Sequence, residues 1–195
     1  MSSKPDSAAN PEAASPWHER PLRRVVTGAR EDGRSCVASD GAPGTTLSVA
    51  GMLRLTQIWR TDVAPRVVPL AADAREAAGP PSVGHLGSEQ TLFVIMDLAP
   101  GDIAKSSRLE ELLATDGMVE AQSRTAGSAH PGMHATDTID YSIVVEGEIT
   151  LVLDEEQVVL RAGDLLVQGG VSHTWINHTD RPVRMLGVLV GARRA

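Results

Sequence analysis

Short apolar runs, punctuated by Gly, Pro and Asp, dominate the second half of the chain. From residue 140 the segments YSIVVEG, EITLVLD, EQVVLRAGD, LLVQGG, HTWINHT and VRMLGVLVG follow one another with turn residues between them. Strands this short and this closely spaced predict a sandwich or small barrel. Upstream, LRRVVTG (22–28) predicts a short strand, and RSCVASDGAPGTT a second one followed by a Gly/Pro turn. MLRLTQIWRTD (52–62) alternates at several positions, as a half-buried strand does. TLFVIMDLAPG (91–101) is a continuous apolar run stopped by Pro-Gly and reads as a buried strand. Between these two, residues 71–90 are small, polar and Gly/Pro-rich, and read as a loop. SRLEELLA supplies one short helix, with Ser107 and Glu110 as a capping box and Leu109, Leu112 and Leu113 as its apolar face.

Composition narrows the core. Apolar residues make up 42% of the chain but aromatics only 3%, so Val, Leu, Ile and Ala must fill the interior. That composition suits a small β structure. The first residues are rich in Ser, Pro, Ala and charge, and cannot bury enough surface to offset ordering entropy. The expected organisation is a disordered tail (1–21), N-terminal strands and loops with the short helix packing on the barrel (22–128), and a core barrel (129–195). The net charge of -7, with no basic stripe, argues against a nucleic-acid partner. Cys36 is the one cysteine, so no intrachain disulfide can form. Neither a signal peptide nor a membrane-length apolar run is visible, and the expectation is a soluble, cytoplasmic protein.

The chemistry concentrates between residues 130 and 178, which hold four of the six histidines. Residues of like parity share one face of a strand. His134, Thr136 and Asp140 therefore share a face if that segment is extended, and His173, Trp175 and Asn177 share another. If both faces look into the barrel, His134, Asp140 and His173 converge. Two imidazoles and a carboxylate with open positions suit Fe(II), and also Zn, Mn, Ni or Cu. His130 lies four residues before His134, roughly 13 Å away in a straight strand, so only a bend at Pro131-Gly132 could bring it to the same ion.

Residues 134–177 resemble the cupin superfamily (RmlC-like). Its first motif runs His-x-His, three or four residues, Glu, six residues, Gly. Here His134 fits the first His, Asp140 the Glu, and Gly147 the Gly. Thr136 stands where the second His belongs. In the second motif Gly163, Gly170, His173 and Asn177 fit, with Gln168 in place of the Pro. The upstream RRVVTG and IWRTD extend the likeness over roughly residues 22–191, to small bacterial and fungal cupin-domain proteins. Several of these are described as oxidoreductases of secondary-metabolite pathways. The resemblance implies an all-β fold, a double-stranded β-helix or jelly-roll barrel with N-terminal extension strands and one short helix. It also implies a homodimer and a divalent metal, Fe(II) favoured, held by His134, Asp140 and His173, which would be the catalytic residues. Thr136, Trp175 and Arg60 would line the substrate pocket.

Each residue also has a structural reading. His134 and His173 can be buried histidines held by neighbours. Asp140 can orient a loop or an imidazole. Asp137 suits a turn or cap, and Asn177 a turn. Tyr141 and His178 point away from the site by parity. Arg54 and Arg60 suit surface ion pairs, and Cys36 a small buried hydrophobe. Three functions follow. The first is a metal-dependent enzyme of oxidoreductase or dioxygenase type acting on a small organic molecule. The second is a lyase or isomerase (decarboxylase, dehydratase or cyclase) using Asp140 or a histidine as acid or base. The third is a non-catalytic small-molecule binder, which Thr136 favours.

Overall fold

The computed structural model describes residues 21–49, 51–62, 83–84, 86–102, 105, 118, 121, 125, 127–128 and 130–194. The expected helix at SRLEELLA, the N-terminal tail and most of the 71–90 loop lie outside these residues. The described residues form twelve strands: β1 (Arg24–Ala29), β2 (Ser35–Gly41), β3 (Thr45–Val49), β4 (Leu53–Thr61), β5 (Thr91–Leu98), β6 (Gly101–Asp102), β7 (Thr138–Glu146), β8 (Glu148–Val152), β9 (Gln157–Arg161), β10 (Leu165–Gln168), β11 (Thr174–Asn177) and β12 (Val183–Gly191). Every pairing between them is antiparallel. The all-β architecture is the one expected. β3 is an addition, since the Gly/Pro signal at 41–44 marks only the turn that precedes it.

Two sheets build the body. Six strands in the order β10-β7-β12-β5-β4-β3 form one, and four in the order β6-β11-β8-β9 form the other. β1 and β2 make a separate hairpin. Strands of the 22–128 segment do more than pack on the barrel: β5 pairs with β12 from Val183↔Leu98 to Val190↔Thr91, so early and late parts of the chain share one sheet. Inward-facing residues of both sheets, among them Leu92, Leu98, Val144, Ile149 and Val183, are completely or almost completely buried. This aliphatic interior is what a chain so poor in aromatics must use.

β5 corrects a detail of the pattern reading. Its run is apolar throughout, yet burial alternates, with Leu92, Val94 and Leu98 buried and Phe93, Ile95 and Asp97 only partly covered. The strand lies in a sheet with one face to the core, so period-two burial persists although the letters do not show it. β10 is more extreme. Leu165 and Val167 are 77% and 69% exposed, while Gln168 is buried. This edge strand turns apolar side chains outward and a polar one inward.

Candidate functional site

The second turn motif sets up the site. Gly170 has a φ of +64°, and a Cβ there would meet the Thr136 carbonyl oxygen at 2.7 Å. Only glycine permits both the left-handed backbone and that approach. Arg194 holds the same corner, its Nη2 donating to the carbonyls of Thr136 (3.1 Å) and Gly170 (2.9 Å). Its Nε pairs with Asp137. The chain then runs back beside the first motif, and His134 and His173 exchange both backbone hydrogen bonds, at 2.9 and 3.0 Å. Residues opposite each other in an antiparallel bridge project to the same side. The two imidazoles accordingly lie with centroids 4.3 Å apart and planes tilted by 51°.

Both rings have a fixed tautomer. Nδ1 of His134 lies 3.1 Å from the Gly132 carbonyl, and Nδ1 of His173 lies 2.9 Å from the Val171 carbonyl. A carbonyl only accepts, so each Nδ1 carries the proton and each Nε2 a lone pair. Burial drives both pKa values down, that of His173 to about 3, with His134 beside it adding to the effect. Both imidazoles are therefore neutral. Gln168 Nε2 lies 3.0 Å from both ring nitrogens of His173, and of these only Nε2 has a lone pair to accept with. Because that ring nitrogen is the acceptor, the amide NH₂ must face it. The Gln168 carbonyl oxygen then points elsewhere, is buried, and has no hydrogen-bond partner.

A cavity of about 140 Å³ lies between the two sheets, in front of the histidines. His134, Thr136, Asp140, Gln168, His173 and Trp175 all line it, with Leu55, Met96, Leu98 and Leu189 among its apolar walls. The parity argument thus places His134, Thr136 and Asp140 on one wall, as it does His173 and Trp175. Trp175 stands edge-on to His173 at 5.8 Å between centroids. The hydroxyls of Thr136 and Thr138 are buried and bonded to each other at 2.8 Å. Oδ1 of Asp140 is buried without a partner.

Other sequence candidates sit elsewhere. Arg60 is not among the described lining residues: it follows a register shift between Gln57 and Trp59 in β4 and pairs with Asp62 through Nε at 2.5 Å, the ion-pair alternative. Arg54 pairs with Asp97. His130 bonds Asp102 at 3.1 Å and does not reach the cavity. Asn177 holds a turn, donating to the Arg181 carbonyl at 2.7 Å and accepting from the Thr179 amide at 3.0 Å. Tyr141 is 51% exposed on the outer face, and His178 is exposed. Cys36 is half-buried in the β1–β2 hairpin. The residue that sequence reading passed over is Gln168. Its signal was present, a buried-parity amide in an otherwise aliphatic strand.

The donor chemistry fits a divalent ion once the Gln168 amide moves off His173: two neutral imidazoles with Nε2 lone pairs and an unpartnered carboxylate oxygen face one cavity. The spacing does not yet gather them. Among the described residues no three His, Cys, Asp or Glu side chains stand close enough together to hold an ion.

Burial pushes the Asp140 carboxyl up to about 6, with the Thr138 hydroxyl bond pulling the other way. A raised folded-state pKa means the native protein holds this proton more tightly than the unfolded chain. Its contribution to stability is full below about pH 4 and is lost as pH rises through about 6. Asp140→Asn, uncharged throughout, should therefore stabilise chelator-treated protein by about 3 kcal/mol near pH 8 and by little near pH 4. Urea unfolding at both pH values checks this; equal effects at the two would contradict a buried, ionising carboxylate.

The Cupin_2 family profile, a cupin domain, matches residues 119–189. The cupin-domain-containing oxidoreductase fogC of Aspergillus ruber is 38% identical over 79 residues, covering 38% of this chain and 39% of that protein. The oxidoreductase virC of Hypocrea virens is 42% identical over 65 residues, covering 31% and 34%. Phomopsin biosynthesis cluster protein C' of Diaporthe leptostromiformis is 50% identical over 48 residues, covering 24% and 25%. The matches thus span between a quarter and two fifths of these relatives' lengths. Residues 119–189 thus match a cupin domain, and over part of its length the chain is similar to cupin-domain-containing oxidoreductases and a biosynthesis-cluster protein of fungi.

Proposed function

We propose that this protein is a small-molecule enzyme of oxidoreductase type, with its reaction site in the cavity in front of His134 and His173. One observation carries the reading: two buried imidazoles, each held by a backbone carbonyl, turn Nε2 lone pairs, that of His173 accepting from the Gln168 amide, toward a cavity that an unpartnered carboxylate oxygen also lines. Nothing in the packing of an aliphatic core requires that arrangement, and burying unpaired polar atoms costs stability. The partial-length relatives named as oxidoreductases favour the reaction class. His134, His173 and Asp140 would hold a divalent metal, Fe(II) first among the choices. The ion would supply Lewis acidity and open positions for substrate and O₂. The protein's own share is clearer. The Gly132 and Val171 carbonyls orient the imidazoles, Gln168 steadies His173, and Trp175 with the aliphatic wall excludes water.

A second reading, a lyase or isomerase, is favoured by the spacing, since no three ligating side chains are gathered. Asp140 or an imidazole would then move a proton directly. Reconstitution with Fe(II), Mn, Ni, Zn and Cu, followed by metal analysis and O₂ uptake with small organic compounds, tests the choice. Stoichiometric metal with substrate-dependent O₂ uptake supports the first reading. Failure to retain any of these metals would eliminate it and leave the second.

A further inference from the structure

We infer that Gln168 is itself a ligand of the metal site, its amide oxygen joining His134, His173 and Asp140. The inference rests on the reading of this cavity as a metal site, and it follows from what each polar group there lacks. Gln168 is 4% exposed and lines the cavity. Its NH₂ donates to His173 Nε2, while its Oε1 is buried and has no partner. A buried acceptor left unmet costs stability, so the oxygen is the half of this amide that still needs a partner. Thr136 faces the same cavity, but its hydroxyl is neutral and is bonded to that of Thr138.

Spacing also favours Gln168. Its amide nitrogen is 3.0 Å from His173 Nε2, and the His173 ring is 4.3 Å from that of His134 between centroids. These three side chains are already contiguous, whereas the carboxylate alone does not bring three ligands together. Asp140 is the register partner of Gln168 across β7 and β10, so the two side chains project to the same side. Asp140 Oδ1 is the other unpartnered oxygen of the cavity. Two orphaned acceptors on facing residues, beside two neutral imidazoles, make a set of four donor atoms suited to a cation. An amide fits this position because it can change role. Its NH₂ satisfies the His173 lone pair, which a carboxylate or an alkyl chain cannot do. Once that lone pair is given to an ion, the NH₂ has lost its acceptor, and turning the amide over presents the oxygen instead. The terminal torsion of glutamine is broad, so the turn costs little.

Co(II) binding to chelator-stripped, full-length protein tests the inference. Competition with a chromophoric chelator gives the affinity, and the visible bands of Co(II) report its ligand set. Gln168→Met, similar in length but without the oxygen, should bind Co(II) at least about tenfold more weakly than wild type and change those bands. Gln168→Glu, which keeps an oxygen at the same reach and adds charge, should bind at least as tightly as wild type. An amide that merely shields His173 predicts the opposite for the Met variant, because its removal would bare the lone pair and tighten binding. Thermal unfolding of the metal-free variants shows whether each is folded; if the Met variant is not, Gln168→Leu takes its place, and Gln168→Glu is read in either case. Co(II) held by the Met or Leu variant as tightly as by wild type, or more weakly by the Glu variant, would overturn the role of Gln168 and leave the metal reading standing. A wild type that does not bind Co(II) would overturn both.

Discussion

Asp97→Ala is expected to cost about 3–5 kcal/mol of folding stability, the largest loss from any single charge in the described structure. Asp97 lies near the end of β5, an interior strand of the six-stranded sheet, opposite Arg54 on β4 and Arg184 on β12. Arg184 donates to it through Nη2 at 3.0 Å as well as through Nε. Exposure decides how the two pairs differ in worth. The Arg184 side chain is 6% exposed and that of Asp97 13%, whereas Arg54 is 44% exposed. The Arg54 pair is a surface interaction worth less than about 1 kcal/mol. The Arg184 pair is buried, and deleting its carboxylate leaves a desolvated guanidinium without that counter-charge. Replacing both partners together, as in Asp97→Leu with Arg184→Met, should recover most of the loss. Denaturant unfolding of the single and double variants measures this. A single-variant loss under about 1 kcal/mol would show that water reaches the pair in solution.

How much of this was legible beforehand depended on whether the signal was local. The late strands are bounded by Gly, Pro and Asp, and all were readable as strands. β7 starts at Thr138, three residues before the apolar YSIVVEG, because its first turn of ladder is set by pairing with β12. β3 has two threonines, one leucine and no strong pattern, and exists because β4 offers it an edge. Parity placed His134, Thr136, Asp140, His173 and Trp175 correctly, since in a strand facing is a local property. Asn177 holds the turn at 179–181, as its structural reading had it. Parity misled only for Arg60 as a pocket residue, which follows a bulge between Gln57 and Trp59 and pairs with Asp62. Such capture depends on neighbours that spacing does not reveal. Gln168 was noticed only as the residue standing where a proline was expected. Its meaning required knowing that His173 offers a lone pair on one side of its amide and that nothing meets the other.

His173→Ala is expected to lower kcat/KM by at least about a hundredfold while leaving the protein folded. The first reading makes this imidazole a metal ligand, so the loss follows from it directly; under the second the loss follows where His173, rather than Asp140 or His134, carries the proton. A purely structural histidine predicts the reverse pattern. Removing the ring would free the Gln168 amide and the Val171 carbonyl inside the protein, costing about 1–3 kcal/mol of stability, but a substrate would still be turned over. Thermal unfolding and kinetics on the same variant therefore separate the two. His134→Ala supplies the second half of the argument. The rings stand 4.3 Å apart on paired residues, so the two variants should fail together if they hold one ion. Each would then lose metal, and the double variant would be little worse than either alone, as expected of groups acting as a unit. If proton transfer is the mechanism, the two losses should differ and metal content should not track them. Added imidazole gives a further readout, because a vacated site in front of Trp175 can accept the free base and recover part of the lost rate. Turnover within about threefold of wild type in both variants would remove the histidines from the chemistry and leave the cavity as a binding site.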